Sequence, residues 1–127
     1  TLFRSYMLRK AANREWTKLY VVDTRNKHIR RFAVTESVGL ADEGVFATCT
    51  AGSFDGIRLD EAGRVWAAAH DGVHCFDPDG TLLGKLRLPE TASNLVFGGR
   101  QRNVLFITAT SSVWAIRMNV CGITYPR

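Results

Sequence analysis

Val65-Trp66-Ala67-Ala68-Ala69-His70, followed by Gly72-Val73-His74-Cys75-Phe76-Asp77, is the stretch whose reading decides the fold. A short apolar run meets a polar turn, and a run alternating apolar and polar residues follows. That is the pattern of an antiparallel hairpin. Upstream, Leu19-Tyr20-Val21-Val22-Asp23-Thr24 leads in the same way into His28-Ile29-Arg30-Arg31-Phe32-Ala33-Val34. Downstream, Leu105-Phe106-Ile107-Thr108-Ala109-Thr110 leads into Ser112-Val113-Trp114-Ala115-Ile116-Arg117. The three hairpins begin at 19, 65 and 105, offsets of 46 and 40 residues. Apolar positions recur at two, not at three and four, which excludes a helical repeat.

A period of about 40–50 residues with several strands in each unit marks the blades of a β-propeller. Further strands fill the gaps. Ile57-Arg58-Leu59-Asp60 precedes a turn at Asp60-Glu61-Ala62-Gly63, and Asp77-Pro78-Asp79-Gly80 is a strong turn before an outer strand over Thr81 to Leu88. There Pro presets φ and Gly supplies the left-handed conformation. One full blade is therefore expected from about 54 to 88. The next starts near 92 and loses its outer strand around 120. An incomplete blade precedes 54, with its inner strand due near residues 6–14. Leu8-Arg9-Lys10-Ala11-Ala12-Asn13-Arg14-Glu15 lacks apolar alternation and reads as helical or disordered. The expected architecture is all-β, about two and a half blades. An atypical basic segment covers residues 1–18, propeller sequence 19–122, and a tail 123–127.

Bulk properties agree with one soluble domain of 127 residues, 46% hydrophobic and 23% charged. No run of 18 apolar residues offers a membrane span, and Thr1 to Lys10 does not read as a signal peptide. Cys49, Cys75 and Cys121 are odd in number and without metal-binding spacing, so free thiols in a reducing, cytoplasmic setting are expected. The net charge of +5 is uneven: nine of the 17 Lys and Arg lie in residues 1–31, against only Glu15 and Asp23. We read this as a solvated basic segment and expect no nucleic-acid partner.

Several short motifs occur together and in order. They are Phe54-Asp55-Gly56-Ile57-Arg58-Leu59-Asp60, Gly63-Arg64-Val65-Trp66, Asp71-Gly72-Val73-His74 and Phe76-Asp77-Pro78-Asp79-Gly80, then Leu88-Pro89-Glu90-Thr91, Phe97-Gly98-Gly99 and Leu105-Phe106-Ile107-Thr108. From about Leu19 to Gly122 the chain resembles the gluconolactonase, senescence-marker-protein (regucalcin) and luciferin-regenerating-enzyme-like family. The resemblance implies a six-bladed propeller with a divalent metal (Ca, Zn, Mn or Mg) in its channel, and hydrolysis of a small sugar lactone. Six blades need about 240–280 residues, so an N-terminal half is expected to be absent or supplied by another chain. Exposed blade faces and edges then predict a homo-oligomer.

In that family the metal is held by a Glu near the N-terminus, an Asn in a Pro-Asn-Gly turn and an Asp in an Asp-Gly turn. Hard oxygen ligands suit such ions, which polarise the carbonyl and acidify a water while a carboxylate accepts its proton. Asp55 matches the Asp, and the resemblance makes it both metal ligand and catalytic carboxylate. The Asn position falls on Leu8, and the Glu position precedes Thr1. Asn94 and His70 are weaker channel-lining candidates, Asn94 being expected to cap its own turn. His74 is expected to face outward from its strand. Trp66 and Trp114 read as sheet-packing residues. With one ligand of three, the chain alone is expected to be inactive. A non-catalytic fragment and a self-assembling half-propeller binding module stand as alternatives.

Overall fold

A computed structural model describes residues 8–37 and 39–125. Among the described residues all eleven regular elements are strands: β1 (Leu8–Ala12), β2 (Lys18–Asp23), β3 (His28–Val34), β4 (Leu40–Thr48), β5 (Ile57–Leu59), β6 (Val65–Ala69), β7 (Gly72–Phe76), β8 (Leu82–Arg87), β9 (Ala92–Gly98), β10 (Val104–Ala109) and β11 (Val113–Arg117). They form three antiparallel sheets in chain order, β1-β2-β3-β4, β5-β6-β7-β8 and β9-β10-β11. Each sheet is one blade, and the first strands β1, β5 and β9 lie side by side at the inner edge.

Two expectations need correction. Residues 8–12 are neither helical nor disordered but form β1, paired with β2 from Leu8↔Asp23 to Ala12↔Leu19. The first blade is thereby complete, with four strands. β1 follows no alternation because its partner supplies the apolar surface; Ala12 is buried while Lys10 is exposed. The ladder satisfies the backbone whatever the side chains are. The third blade has three strands among the described residues, as its sequence implied.

The blades stack face to face. Tyr20, Val22 and Ile29 of the first blade pack on Phe54, Ile57, Leu59 and Val65. Trp66, Ala68, Val73 and Cys75 on the opposite face of the second pack on Leu95, Leu105 and Ile107 of the third. The middle blade therefore has a neighbour on each side, and every residue of β6 and β7 is buried. Small Ala67, Ala68 and Ala69 let the flanking blades approach. Burial on both faces also overturns the outward placement of His74, which is 1% exposed: an alternating strand has a solvent face only where nothing covers that face. Gly72 is fixed by contact as well as by its φ of 130°, since a Cβ there would lie 2.0 Å from the carbonyl oxygen of Leu86.

Polar anchors hold a turn within the second blade and the junction between the first two. Asp60, fully buried, accepts hydrogen bonds from the backbone N–H of Ala62 and Arg64 (both 3.0 Å), Arg64 Nε (2.7 Å) and Trp66 Nε1 (3.0 Å). It locks the turn that joins β5 to β6. The chain after β11 returns beneath the inner strands: Ile123 N–H donates to Leu59 O (3.1 Å), and Tyr125 Oη donates to Ala12 O (2.9 Å). Residues 121–125 thus tie the second blade to the first.

Cys49 and Cys75 are buried and Cys121 is partly exposed; all three are free thiols. No helix among the described residues is long and apolar enough to cross a membrane.

Candidate functional site

The registers define equivalent positions on the inner strands. Val21, Ala67 and Ile107 occupy the same place in the three hairpins, and they pair with Lys10, Ile57 and Leu95. Two residues earlier stand Leu8, Asp55 and Ser93. Asp55 therefore lies immediately before the inner strand β5, away from the outer rim formed by β8, and it is partly buried. Its N–H donates to Ala68 O (3.0 Å) and the N–H of Gly56 donates to Ser93 O (2.9 Å), which fastens the Asp-Gly turn to both its own blade and the next. A Cβ on Gly56 would lie 2.1 Å from Asn94 Oδ1. The turn needs glycine because the third blade presses directly against it.

Asn94 is thus brought beside the Asp55 turn. Its Oδ1 accepts from the N–H of Leu95 (2.9 Å), so the side chain caps its own strand while one face lines a cleft. Ser93 Oγ lies 3.1 Å from Thr108 O. His70 sits in the β6–β7 turn at the same end of the blade, exposed, its ring over Gly52. It lines neither of the two inner-strand clefts described next.

Those clefts adjoin. One, of about 240 Å³, runs from Asn94 and Thr108 past Phe106 to Arg58 and Val96. The other, of about 330 Å³, continues from Arg58 and Val96 to Lys10, with Ile123 and Tyr125 of the returning chain in its wall. Sequence reading did not single out Arg58, whose signal was only its place between apolar Ile57 and Leu59.

A second missed cluster surrounds Asp71. Its carboxylate accepts from His74 Nε2 (2.6 Å) and Lys85 Nζ (3.1 Å), with Arg87 Nη1 at 3.6 Å. The carboxylate fixes the His74 proton on Nε2, and Nδ1 is buried without a hydrogen-bond partner among the described residues. Burial by itself would raise the Asp71 pKa, but hydrogen bonds and charge from His74 and Lys85 outweigh it and bring the value to about 2. Lys85 also donates to Thr50 Oγ1 (3.1 Å), so the cluster bridges the first and second blades. Phe54 meets the His74 ring edge-to-face at 5.7 Å, which marks the group as part of the packed junction.

Donor chemistry tests whether a metal fits at Asp55. A hard divalent cation takes about six or more oxygens. Here the equivalent positions hold one carboxylate, one hydroxyl and one leucine, and the nearby Asn94 oxygen already accepts a backbone N–H. Among the described residues no three His, Cys, Asp or Glu side chains converge on a point. The described residues by themselves do not make up a metal site.

Residues 10–111 match the family model described as the SMP-30/Gluconolactonase/LRE-like region. A pentonolactonase of Haloferax volcanii is 32% identical over 101 residues, covering 75% of this chain and 35% of that protein. The solved gluconolactonase of Xanthomonas campestris superposes with a TM-score of 0.82 at 33% identity, covering 89% of this chain and 38% of that one. A regucalcin of Agrobacterium tumefaciens strain C58, described as a calcium-binding protein, gives a TM-score of 0.83 at 21% identity, covering 96% of this chain and 49% of that one, a likeness of fold. The chain spans about a third to a half of the length of these relatives.

Proposed function

The chain belongs to the SMP-30/gluconolactonase/LRE-like family, and from that premise we propose that it is the Asp55-bearing portion of a sugar-lactone hydrolase. The reaction adds water to the lactone carbonyl and breaks the ring C–O bond. The ring oxygen leaves as a hydroxyl, and the acyl carbon becomes a carboxylate with release of a proton. The observation that carries this reading is the position of Asp55, at the head of an inner strand with its turn braced on Ser93 and Asn94 of the next blade. In that place Asp55 serves as one oxygen ligand to a divalent metal (Ca, Zn, Mn or Mg) once further oxygens come from outside this chain.

The isolated chain is then expected to hydrolyse glucono-δ-lactone no faster than buffer plus metal. Transplanted into the Xanthomonas campestris gluconolactonase in place of the matching segment, it should support hydrolysis, and Asp55→Ala should abolish it. Proton release with Ca²⁺, Zn²⁺ or Mn²⁺ measures both. An active chimera that is indifferent to Asp55→Ala refutes the assignment. Metal-dependent turnover by the isolated chain refutes the incompleteness of its site.

A second reading concerns assembly. On the third blade Val96, Phe106 and Val113 are 49%, 38% and 70% exposed, on the face where the other two blades meet a neighbour. Three blades are half of six, so a second copy of the chain is the proposed occupant, giving a homodimer. Light scattering at micromolar concentration should show twice the 14.2 kDa chain mass; a monodisperse monomer refutes it. The buried free thiols of Cys49 and Cys75 favour a reducing compartment, and we place the protein in the cytoplasm.

A further inference from the structure

We propose that Arg58 and Lys10 form an anion subsite in the inner-strand cleft, which selects lactones carrying an acidic group remote from the reacting carbonyl. This rests on the lactone-hydrolase reading for the identity of the ligand, and on the following geometry for the charge.

Arg58 is the β5 position at which the two clefts meet; the upper one, walled by Val96 and Phe106, lies on the face assigned above to a second copy, so the subsite is the lower one, whose described wall contains no Asp or Glu. Lys10, exposed on β1, enters the wall of the lower cleft. The remaining wall is neutral, with Val96, Phe97 and Ile123 prominent. At the positions equivalent to Arg58 the first and third blades carry Ala11 and Val96, so the fold does not require a cation here. A guanidinium set among apolar side chains loses part of its hydration, and an anion restores that loss. The Arg58 Nη1 donates to Ile57 O (2.7 Å), which holds the fork at the inner edge of the strand. One donor of five is engaged by that bond, and the fork geometry matches a carboxylate or phosphate.

Position sets what the anion is. Arg58 follows Asp55 by three residues on an extended segment, roughly 10 Å between backbone positions. A lactone whose carbonyl lies at the Asp55 end presents the far end of its carbon chain to the lower cleft. The nascent carboxylate stays at Asp55, so the group meeting Arg58 is a second one, already on the substrate. A terminal carboxylate, as in the lactone of an aldaric acid, and a terminal phosphate share the required chemistry.

Binding to the intact chain tests this without turnover. The probes are the two dianions D-glucarate and D-sorbitol 6-phosphate, the monoanion D-gluconate and the neutral polyol sorbitol, titrated by calorimetry and two-dimensional NMR. At least one dianion should bind about tenfold or more tightly than gluconate, and sorbitol least of all, the size expected of one charge-assisted hydrogen-bonded pair. Whichever dianion binds tighter identifies the group as carboxylate or phosphate. Arg58→Met, which keeps the apolar stem, should remove that preference. Arg58→Lys should retain part of it, and Lys10→Met should reduce it less than Arg58→Met. Equal affinities across the four probes, no binding of either dianion, or an Arg58→Met variant of unchanged melting temperature that keeps the preference would each overturn the proposal. If Arg58→Met misfolds, the Arg58→Lys and Lys10→Met titrations decide alone: unchanged dianion preference in both overturns it. Arg58-dependent binding beside an inactive chimera sinks the lactonase reading and leaves the subsite standing. An Asp55-dependent chimera whose chain ignores both dianions does the reverse.

Discussion

Asp71→Asn isolates the electrostatic cluster that ties the β6–β7 turn to β7 and β8 within the second blade. The substitution keeps an oxygen for His74 Nε2 but removes the charge facing Lys85 and Arg87. In the native protein Asp71 titrates at about 2 against an ordinary 3.8, its side chain 23% exposed. That separation corresponds to about 2 kcal/mol. The native pKa is the lower one, so the contribution is complete above 3.8, where both folded and unfolded forms are ionised. As pH falls from 3.8 towards 2 the unfolded chain takes up the proton first, and the stabilisation is lost; below about 2 none remains. Urea denaturation followed by Trp fluorescence should therefore find Asp71→Asn less stable by about 2 kcal/mol at pH 7, with the gap to wild type closing between pH 4 and pH 2. Comparing the two proteins at each pH removes the acid response of other low-pKa carboxylates such as Asp42 and Asp79, common to both. A gap that stays constant across this window, or one at pH 7 no larger than an exposed ion pair gives, refutes the reasoning.

Two further substitutions probe a turn within the second blade and its contact with the third. Asp60→Ala strips the shared acceptor from Arg64 and Trp66 and from two backbone N–H groups, and should cost about 3 kcal/mol or more in the same denaturation assay; a loss below about 1 kcal/mol would mean that water replaces the carboxylate. Gly56→Ala places a methyl 2.1 Å from Asn94 Oδ1, so the second and third blades must part. Amide exchange should accelerate at position 56, whose N–H is held by Ser93 O in the native chain, and unchanged protection there would show that the turn yields instead.

The fold was legible where a strand has two chemically distinct sides or two buried ones. The run Val65–Ala69 announced itself by apolar content, and the turn at Asp77-Pro78-Asp79-Gly80 by residue type, with Gly80 at a φ of 91° as that reading requires. β1 was not legible because Leu8–Ala12 carries two basic residues and two alanines, and its strand conformation comes from the β2 ladder rather than from its own pattern. His74 failed for the opposite reason. Its alternation was real, but alternation announces a solvent face only on a sheet with one covered side, and coverage of the second blade is a property of the whole stack.

The site divides along the same physical line. Asp55 was legible because an Asp-Gly pair before a short apolar strand is a local feature, and the hairpin spacing alone carried its correspondence to Leu8. Ser93, 38 residues later, shares its position through the same spacing, yet its carbonyl bond to Gly56 is a contact between blades that no local motif encodes. Arg58 and Lys10 are more remote still: 48 residues apart, on different inner strands, each an ordinary surface cation in its own segment. What singles them out is the register. It aligns Arg58 with Ala11 and Val96, so a charge stands where two sister blades are content with apolar side chains. In a repeat architecture that comparison separates what the scaffold demands from what it merely tolerates. Asp60 illustrates the demand: its four donors belong to the turn of its own blade, and they hold that turn whether or not any ligand enters. Arg58 illustrates the tolerance, for its single bond to Ile57 O holds nothing that alanine and valine fail to hold in the blades beside it.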